Sequence, residues 1–220
     1  MSATLLSLRT DVRYALRDTD ASGYGIPSSQ LNSWINRAVR RINALVQFYE
    51  ATDTITPNAV ASAFTLVGSG ALNLAANYLA LRSVYYSGKP PVVGPVDIEV
   101  INDLWARGLI VAGSPTKYAL WGDQILFDAI PPALPVIYCR YIAVPTDMSA
   151  DGNAPPAPLH QFDGFIVGAT LIEMGGDMAW DDVVSRGERV FGRFLPEFQS
   201  LVESGGKHQS LGNTISRRRL

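Results

Sequence analysis

Apolar positions recur at helical spacing near both ends of this chain and at strand spacing in its middle. Leu5, Leu8, Val12, Ala15 and Leu16 mark a first helix that should stop near Asp18, before the glycine-containing turn from Ala21 to Pro27. A second helix follows with Ser28 or Ser29 as its N-cap. Its apolar stripe is Leu31, Trp34, Ile35, Ala38, Val39, Ile42, Leu45 and Val46, set opposite Asn36, Arg37, Arg40, Arg41 and Asn43.

From Ala51 to Val67 β-prone residues alternate with turn formers, Leu79 to Tyr86 reads as a strand, and Asp97 to Arg107 as a short helix. Tyr118–Trp121 and Gln124–Phe127 are two short β-prone runs joined at Gly122-Asp123. After a proline-rich break, Val136 to Ile142 supplies a third run, and the three together predict one small antiparallel sheet. Ser149 to Pro158 carries too much proline and glycine for helix or strand and reads as a linker. Beyond it Phe162, Phe165, Ile166, Ala169 and Ile172 line one helix, and Val183, Gly187, Val190, Phe191, Phe194, Phe198, Leu201 and Val202 mark another. Gly164 and Gly168 are placed to admit a close helix neighbour, and Pro196 should kink the last helix.

The expected fold class is α+β. A mainly helical layer is assembled from an N-terminal pair (residues 1–50) and a C-terminal pair (159–203) that packs with it. Between them lies a β-rich insertion (51–148) and the linker (149–158), and residues 204–220 form an extended basic tail. The formal charge of −2 conceals this division, because Ser204 to Leu220 holds Lys207, Arg217, Arg218 and Arg219 with no acid, leaving +4 there and −6 on the rest. On its own that tail buries too little to offset its ordering entropy, so it should order only on a partner. The apolar runs are far shorter than the ~20 residues a bilayer span needs. Cys139 is the single cysteine, excludes an intrachain disulfide and falls in a predicted strand as a buried thiol.

Candidate chemistry fails on inspection. Gly68-Ser-Gly70 lacks the third glycine of a dinucleotide loop, Gly205-Gly-Lys207-His lacks the rest of a phosphate loop, and no Gly-x-Ser-x-Gly elbow supports a hydrolase. His160 and His208 are too dispersed to join Cys139 in a zinc site. Asp18, Asp20 and Ser22 copy the first half of a calcium loop, but its twelfth position is Ser29 where a bidentate glutamate is needed. Glu173, Asp177 and Asp181 are spaced by four, yet Asp181 and Asp182 are better explained as a helix start.

The opening from Leu5 to Asp18, the run Gln30-Leu-Asn-Ser-Trp-Ile-Asn-Arg-Ala-Val-Arg-Arg-Ile42, and then Val84–Pro90, Pro115–Tyr118, Gly122–Leu126, Tyr141–Pro145 and the closing helices Leu159 to Val202 follow one another in a telling order. In that order they resemble the head-to-tail adaptor proteins of tailed bacteriophages. The resemblance implies a structural virion protein and no enzyme or cofactor. It implies a ring of twelve copies beneath the portal, in the neck of the virion, after assembly in the host cytoplasm. Its implied partners are the portal protein, neighbouring copies of itself, the next neck or tail protein, and genomic DNA passing without sequence specificity, with no membrane. The tail residues Lys207, Leu211, Ile215, Arg217, Arg218, Arg219 and Leu220 become the expected portal-binding segment. Arg37, Arg40 and Arg41 become the expected DNA-channel or inter-subunit face. Two other readings stand beside it. The arginines suggest a nucleic-acid-binding regulator, against which the acidic body argues, and a stopper or tail terminator would be a different ring of the same neck.

Overall fold

The structure is a computed structural model that describes residues 3–16, 25–55, 63–65, 78–86, 91–111, 113–121, 124–129 and 137–216, the side chains at 53–55, 63–65, 86, 124 and 205–216 excepted. In chain order its elements are α1 (Leu5–Ala15), α2 (Ser28–Val46), β1 (Glu50–Ile55), β2 (Ala63–Thr65), β3 (Tyr78–Tyr86), β4 (Pro91–Val92), α3 (Ile98–Ala106), β5 (Tyr118–Trp121), β6 (Gln124–Phe127), β7 (Ile137–Ala143), a 3-10 turn (Leu159–Gln161), α4 (Asp163–Met178) and α5 (Asp181–Ser216). They form two units, Met1–Tyr49 with Pro145–Leu220, and Glu50–Val144. The architecture is α+β.

In the helical unit, Thr4 and Ser7 close a capping box at the start of α1, which buries Leu5, Leu8 and Val12. The helix ends at Ala15, short of the predicted Asp18. Residues 17–24, and the calcium loop read there, lie outside the described residues. Neither Ser28 nor Ser29 caps α2. Pro27 occupies the N-cap in an extended conformation, and its carbonyl accepts from the N–H groups of Gln30 and Leu31. Proline's fixed φ sets the chain to enter the helix and places both serines inside the first turn.

The stretch 149–158 has no helix or strand, as its composition predicts, but it is not a free linker. Asn153 Oδ1 accepts from the N–H groups of Ser149 and Ala150 at 3.0 and 2.8 Å. The Asn153 and Asp151 carbonyls accept from Leu5 and Leu6 N–H at 2.8 and 3.2 Å. A helix start leaves about four N–H groups without partners, and this segment supplies acceptors for two in α1.

Gly168 and Gly187 decide how α4 and α5 pack. A Cβ on Gly168 would stand 2.8 Å from the Phe191 backbone nitrogen, and one on Gly187 2.8 Å from the Gly168 carbonyl oxygen. The two backbones therefore touch where a side chain would hold them apart. Gly176 and Gly192, on the same two helices, face open space. Gly168→Ala is expected to lose about 1–3 kcal/mol through overpacking. Gly176→Ala and Gly192→Ala should each gain ~0.5–1 kcal/mol from helix propensity. Urea unfolding followed by circular dichroism reads this opposition in sign, and stabilisation by Gly168→Ala would contradict the close contact.

Helix α5 continues across Pro196 and on to Ser216. The expectation of an extended tail is thereby corrected for residues 204–216, while 217–220 lie outside the described residues. Extending a formed helix adds one hydrogen bond per residue fixed, without a new nucleus. Gly205 and Gly206 each oppose it by only ~1 kcal/mol relative to alanine. The core of this unit centres on Trp34, Phe165 and Phe198, all at most 2% exposed.

In the β unit the three runs predicted as one sheet belong to two. β7 lies between β1 and β3 in the order β1-β7-β3-β4, whereas β5 and β6 pair with β2 in the order β2-β6-β5. Strand pairing is antiparallel throughout the named strands. Val84, Val92, Tyr118, Ile125, Phe127, Ile137 and Cys139 form the common core, so the single thiol is buried as expected. Asp97 caps α3 by accepting from Glu99 N–H at 3.1 Å. Gly94 lets the chain run against β5, since a Cβ there would lie 2.6 Å from the Tyr118 carbonyl oxygen. Across that approach Tyr118 N–H donates to the Val93 carbonyl and Val96 N–H to the Tyr118 carbonyl, at 3.1 and 2.8 Å.

Candidate assembly surfaces

Arg37, Arg40 and Arg41 are spaced along one stretch of α2, and the fold gives each a carboxylate. Arg37 pairs with Asp177, Arg41 Nη1 with Glu173 Oε1 at 2.9 Å, and Arg40 Nη1 with Asp147 Oδ1 at 2.7 Å. Trp34 Nε1–H also donates to Asp177 at 2.8 Å. Glu173 and Asp177, weighed above as part of an acidic trio, thus act on α4 as anchors for α2. Asp181 and Asp182 stand apart in the first turn of α5, where negative charge is favoured. The three guanidinium-bearing side chains remain 36, 41 and 46% exposed.

The hydrogen bond from Arg37, helped by that from Trp34, holds the Asp177 carboxyl below the usual carboxylate range, outweighing desolvation. A depressed folded pKa contributes stability that is present above the unfolded value and lost as pH falls through the folded one. Asp177→Asn should accordingly lower the thermal midpoint at neutral pH. The difference should shrink as pH falls below the ordinary carboxylate range and through the depressed Asp177 value. Midpoints measured at a series of pH values check it, and a pH-independent gap would mean the pair contributes nothing.

On the same helix, Asn36 and Asn43 hold the chain where it leaves the helical unit and where it returns. Asn36 is 7% exposed and pairs with Met148 in both directions. Nδ2–H donates to the Met148 carbonyl at 3.1 Å, and Oδ1 accepts from Met148 N–H at 2.9 Å. Asn43 Oδ1 accepts from Tyr49 N–H at 3.0 Å, just after the left-handed Gln47 ends the helix. Arg40 lies between them and ties down Asp147. Asn36 and Asn43, placed opposite the apolar stripe in the sequence, are therefore buried fasteners.

Of the tail residues, Lys207, Leu211 and Ile215 lie on the helical backbone of α5, and Arg217, Arg218, Arg219 and Leu220 lie outside the described residues. His160 sits on the 3-10 turn, where its backbone carbonyl accepts from Ala3 N–H, and His208 lies within α5. The Gly68-Ser-Gly70 stretch lies outside the described residues. Among the described residues no group of three or more His, Cys, Asp or Glu is arranged to hold a metal, and no helix is long and apolar enough to cross a membrane.

Two surfaces of the β unit were not singled out by sequence reasoning. α3 packs on β5 but buries only Ile101, leaving Val100 and Trp105 at 43 and 49% exposure, and the chain beyond it exposes Leu109 and Val111. Five large apolar residues in that nine-residue helix, Ile98, Val100, Ile101, Leu104 and Trp105, were the available signal, being more than one stripe requires. On the β1-β7-β3 sheet, Tyr85 stacks on its cross-strand partner Tyr138 with ring centroids 5.3 Å apart. Beside them Arg140 and Arg82 both reach Glu50, at 2.5 and 3.8 Å.

Residues 3–214 match the family described as SU10 adaptor protein. No curated protein matches the chain.

Proposed function

Because this chain belongs to the SU10 adaptor protein family, a family of phage head-to-tail adaptors, we propose that it forms a ring beneath the portal, extends the DNA channel and joins the capsid to the next neck or tail component. A structural role in the phage particle comes with the family. The observation that carries the finer reading is the extent of the match, which runs from the first helix almost to the end of α5 and so takes in both units and most of the tail.

The portal-facing element of this reading is the C-terminal end of α5 with Lys207, Leu211, Ile215, Arg217, Arg218, Arg219 and Leu220. Its +4 charge on an otherwise acidic chain supports contact with a partner rather than with the body of its own subunit. The arginines of α2 enter as a weak, sequence-independent contact with passing DNA. Each already pairs with a carboxylate, and a genome that must slide tolerates nothing tighter. Free subunits stay monomeric and close into a ring on the portal, where heterologous contacts can complete a circle.

Analytical ultracentrifugation and electron microscopy with purified portal test this. The full chain should add a ring to the portal, and a chain lacking Gly205 to Leu220 should bind far more weakly while keeping its thermal midpoint within about 2 °C, as loss of a surface segment predicts. Failure of the full chain to form any ring on portal would overturn the adaptor reading. Equal binding by the truncated chain would move the docking surface to the helical body.

A further inference from the structure

We propose that, within such a ring, α3 and the segment through Val111 of one copy seat on the outer face of the β1-β7-β3 sheet of the next copy. The inference rests on the ring reading above and concerns only the β unit.

The two surfaces differ, as a head-to-tail contact requires. In the first sheet, residues opposite one another across strands share a face. Val84, Cys139 and Ile137 point into the core, so the alternate positions, Tyr85, Tyr138, Arg140 and Thr52, point away from it. That outer face offers stacked aromatic rings flanked by Arg82 and Arg140, whose side chains remain 43 and 44% exposed. In the second sheet Tyr118 and Leu120 face the core, so Ala119 and Trp121 face the other way. Ile101 is fully buried yet lies outside the core cluster, as does Ala119, which places α3 on that far side of β5. Sheet face and helix therefore lie on opposite sides of one sandwich.

Their chemistry is complementary. The segment from Asp97 to Val111 carries Asp97, Glu99 and Asp103 against Arg107 alone, a net −2 beside exposed Val100, Trp105, Leu109 and Val111. Trp, Tyr and Arg are the side chains most enriched at the centres of protein interfaces. An acidic helix with an apolar crest suits an arginine-edged aromatic sheet, whereas two copies of the same helix would bring like charges together. A second copy is thus the occupant that charge favours, through unlike surfaces.

Blocking one surface at a time tests the contact. Trp105→Glu and Arg82→Glu both lie at exposed positions, and each is expected to reduce ring formation on purified portal at least tenfold with an unchanged thermal midpoint. An equimolar mixture retains one intact contact, between the sheet of the first variant and the helix of the second. Chemical cross-linking should therefore yield dimers and no higher ladder. If Arg82→Glu lowers the midpoint by setting a second carboxylate near Glu50, Thr52→Glu on the same face replaces it. Normal rings from either surface variant would overturn the inference while leaving the ring reading intact, and failure of the unmodified chain to form a ring would overturn that reading instead.

Discussion

Phe198→Ala is expected to destabilise the helical unit more than any other single truncation, by about 3–5 kcal/mol. Phe198 is fully buried and meets three rings, Phe48 at 5.2 Å and Phe162 at 5.1 Å edge-on, and Phe165 at 5.4 Å tilted. These come from the chain just past α2, the turn before α4 and α4 itself, so one side chain joins three parts of the unit to α5. Removing it leaves a cavity that the neighbours fill only if all three shift together. For a chain of this length the thermal midpoint should fall by roughly 6–20 °C. Phe198→Leu, which keeps most of the volume, should lose less than half as much. Calorimetry on the two variants decides the matter, and equal losses would show that ring geometry, not filled space, carries the contact. Because Phe198 lies two residues beyond Pro196, it also anchors α5 just before the stretch toward Ser216. The alanine variant is therefore expected to bind portal more weakly as well.

Asn36→Ala should come next, at about 2–4 kcal/mol, because it leaves both the N–H and the carbonyl of Met148 without their buried partner, at ~1–3 kcal/mol each. The isosteric Asn36→Asp is the sharper variant. It keeps an acceptor for Met148 N–H but sets a carboxylate against the Met148 carbonyl in a site only 7% exposed, so it should be at least as damaging at neutral pH and recover as acid protonates it. Limited proteolysis should also show faster cleavage around residues 145–150 in both variants. If Asn36→Ala unfolds at the unmodified denaturant midpoint, the pairing is replaceable by water and the return segment is held by Arg40 and Asp147 instead.

Much of the scaffold was legible from local rules. The stripe Leu31 to Ile42 and the pattern of Leu5, Leu8 and Val12 mark one apolar face each, and those faces are buried. The sequence marks Asp97 as a helix start and it caps α3, and Tyr118–Trp121 pairs antiparallel with Gln124–Phe127 as their β-prone pattern predicts. The spacing of Gly164 and Gly168 predicts a place of close approach, and side-chain or backbone atoms of α5 stand where their Cβ atoms would be. Periodicity, caps and small residues act within one or two turns of chain, so sequence carries them.

What depended on distant partners was not legible. The pairing of Arg37 and Arg41 with Asp177 and Glu173 spans well over a hundred residues, and charge spacing along α2 says nothing about what faces it. Whether β7 extends the hairpin or enters the other sheet is settled by pairing with β1 and β3, not by its own propensity. The 149–158 stretch looks like a linker because its residues make no regular structure. Its role comes from α1, whose first N–H groups need its carbonyls. By itself the sequence determined the helices, most strands, the acidic body with its basic end and the resemblance in segment order, since each follows from neighbouring residues. Only the tertiary structure decided which polar side chains are fasteners and which faces are left uncovered, because a buried hydrogen bond or an exposed tryptophan is a relation between segments that the fold brings together.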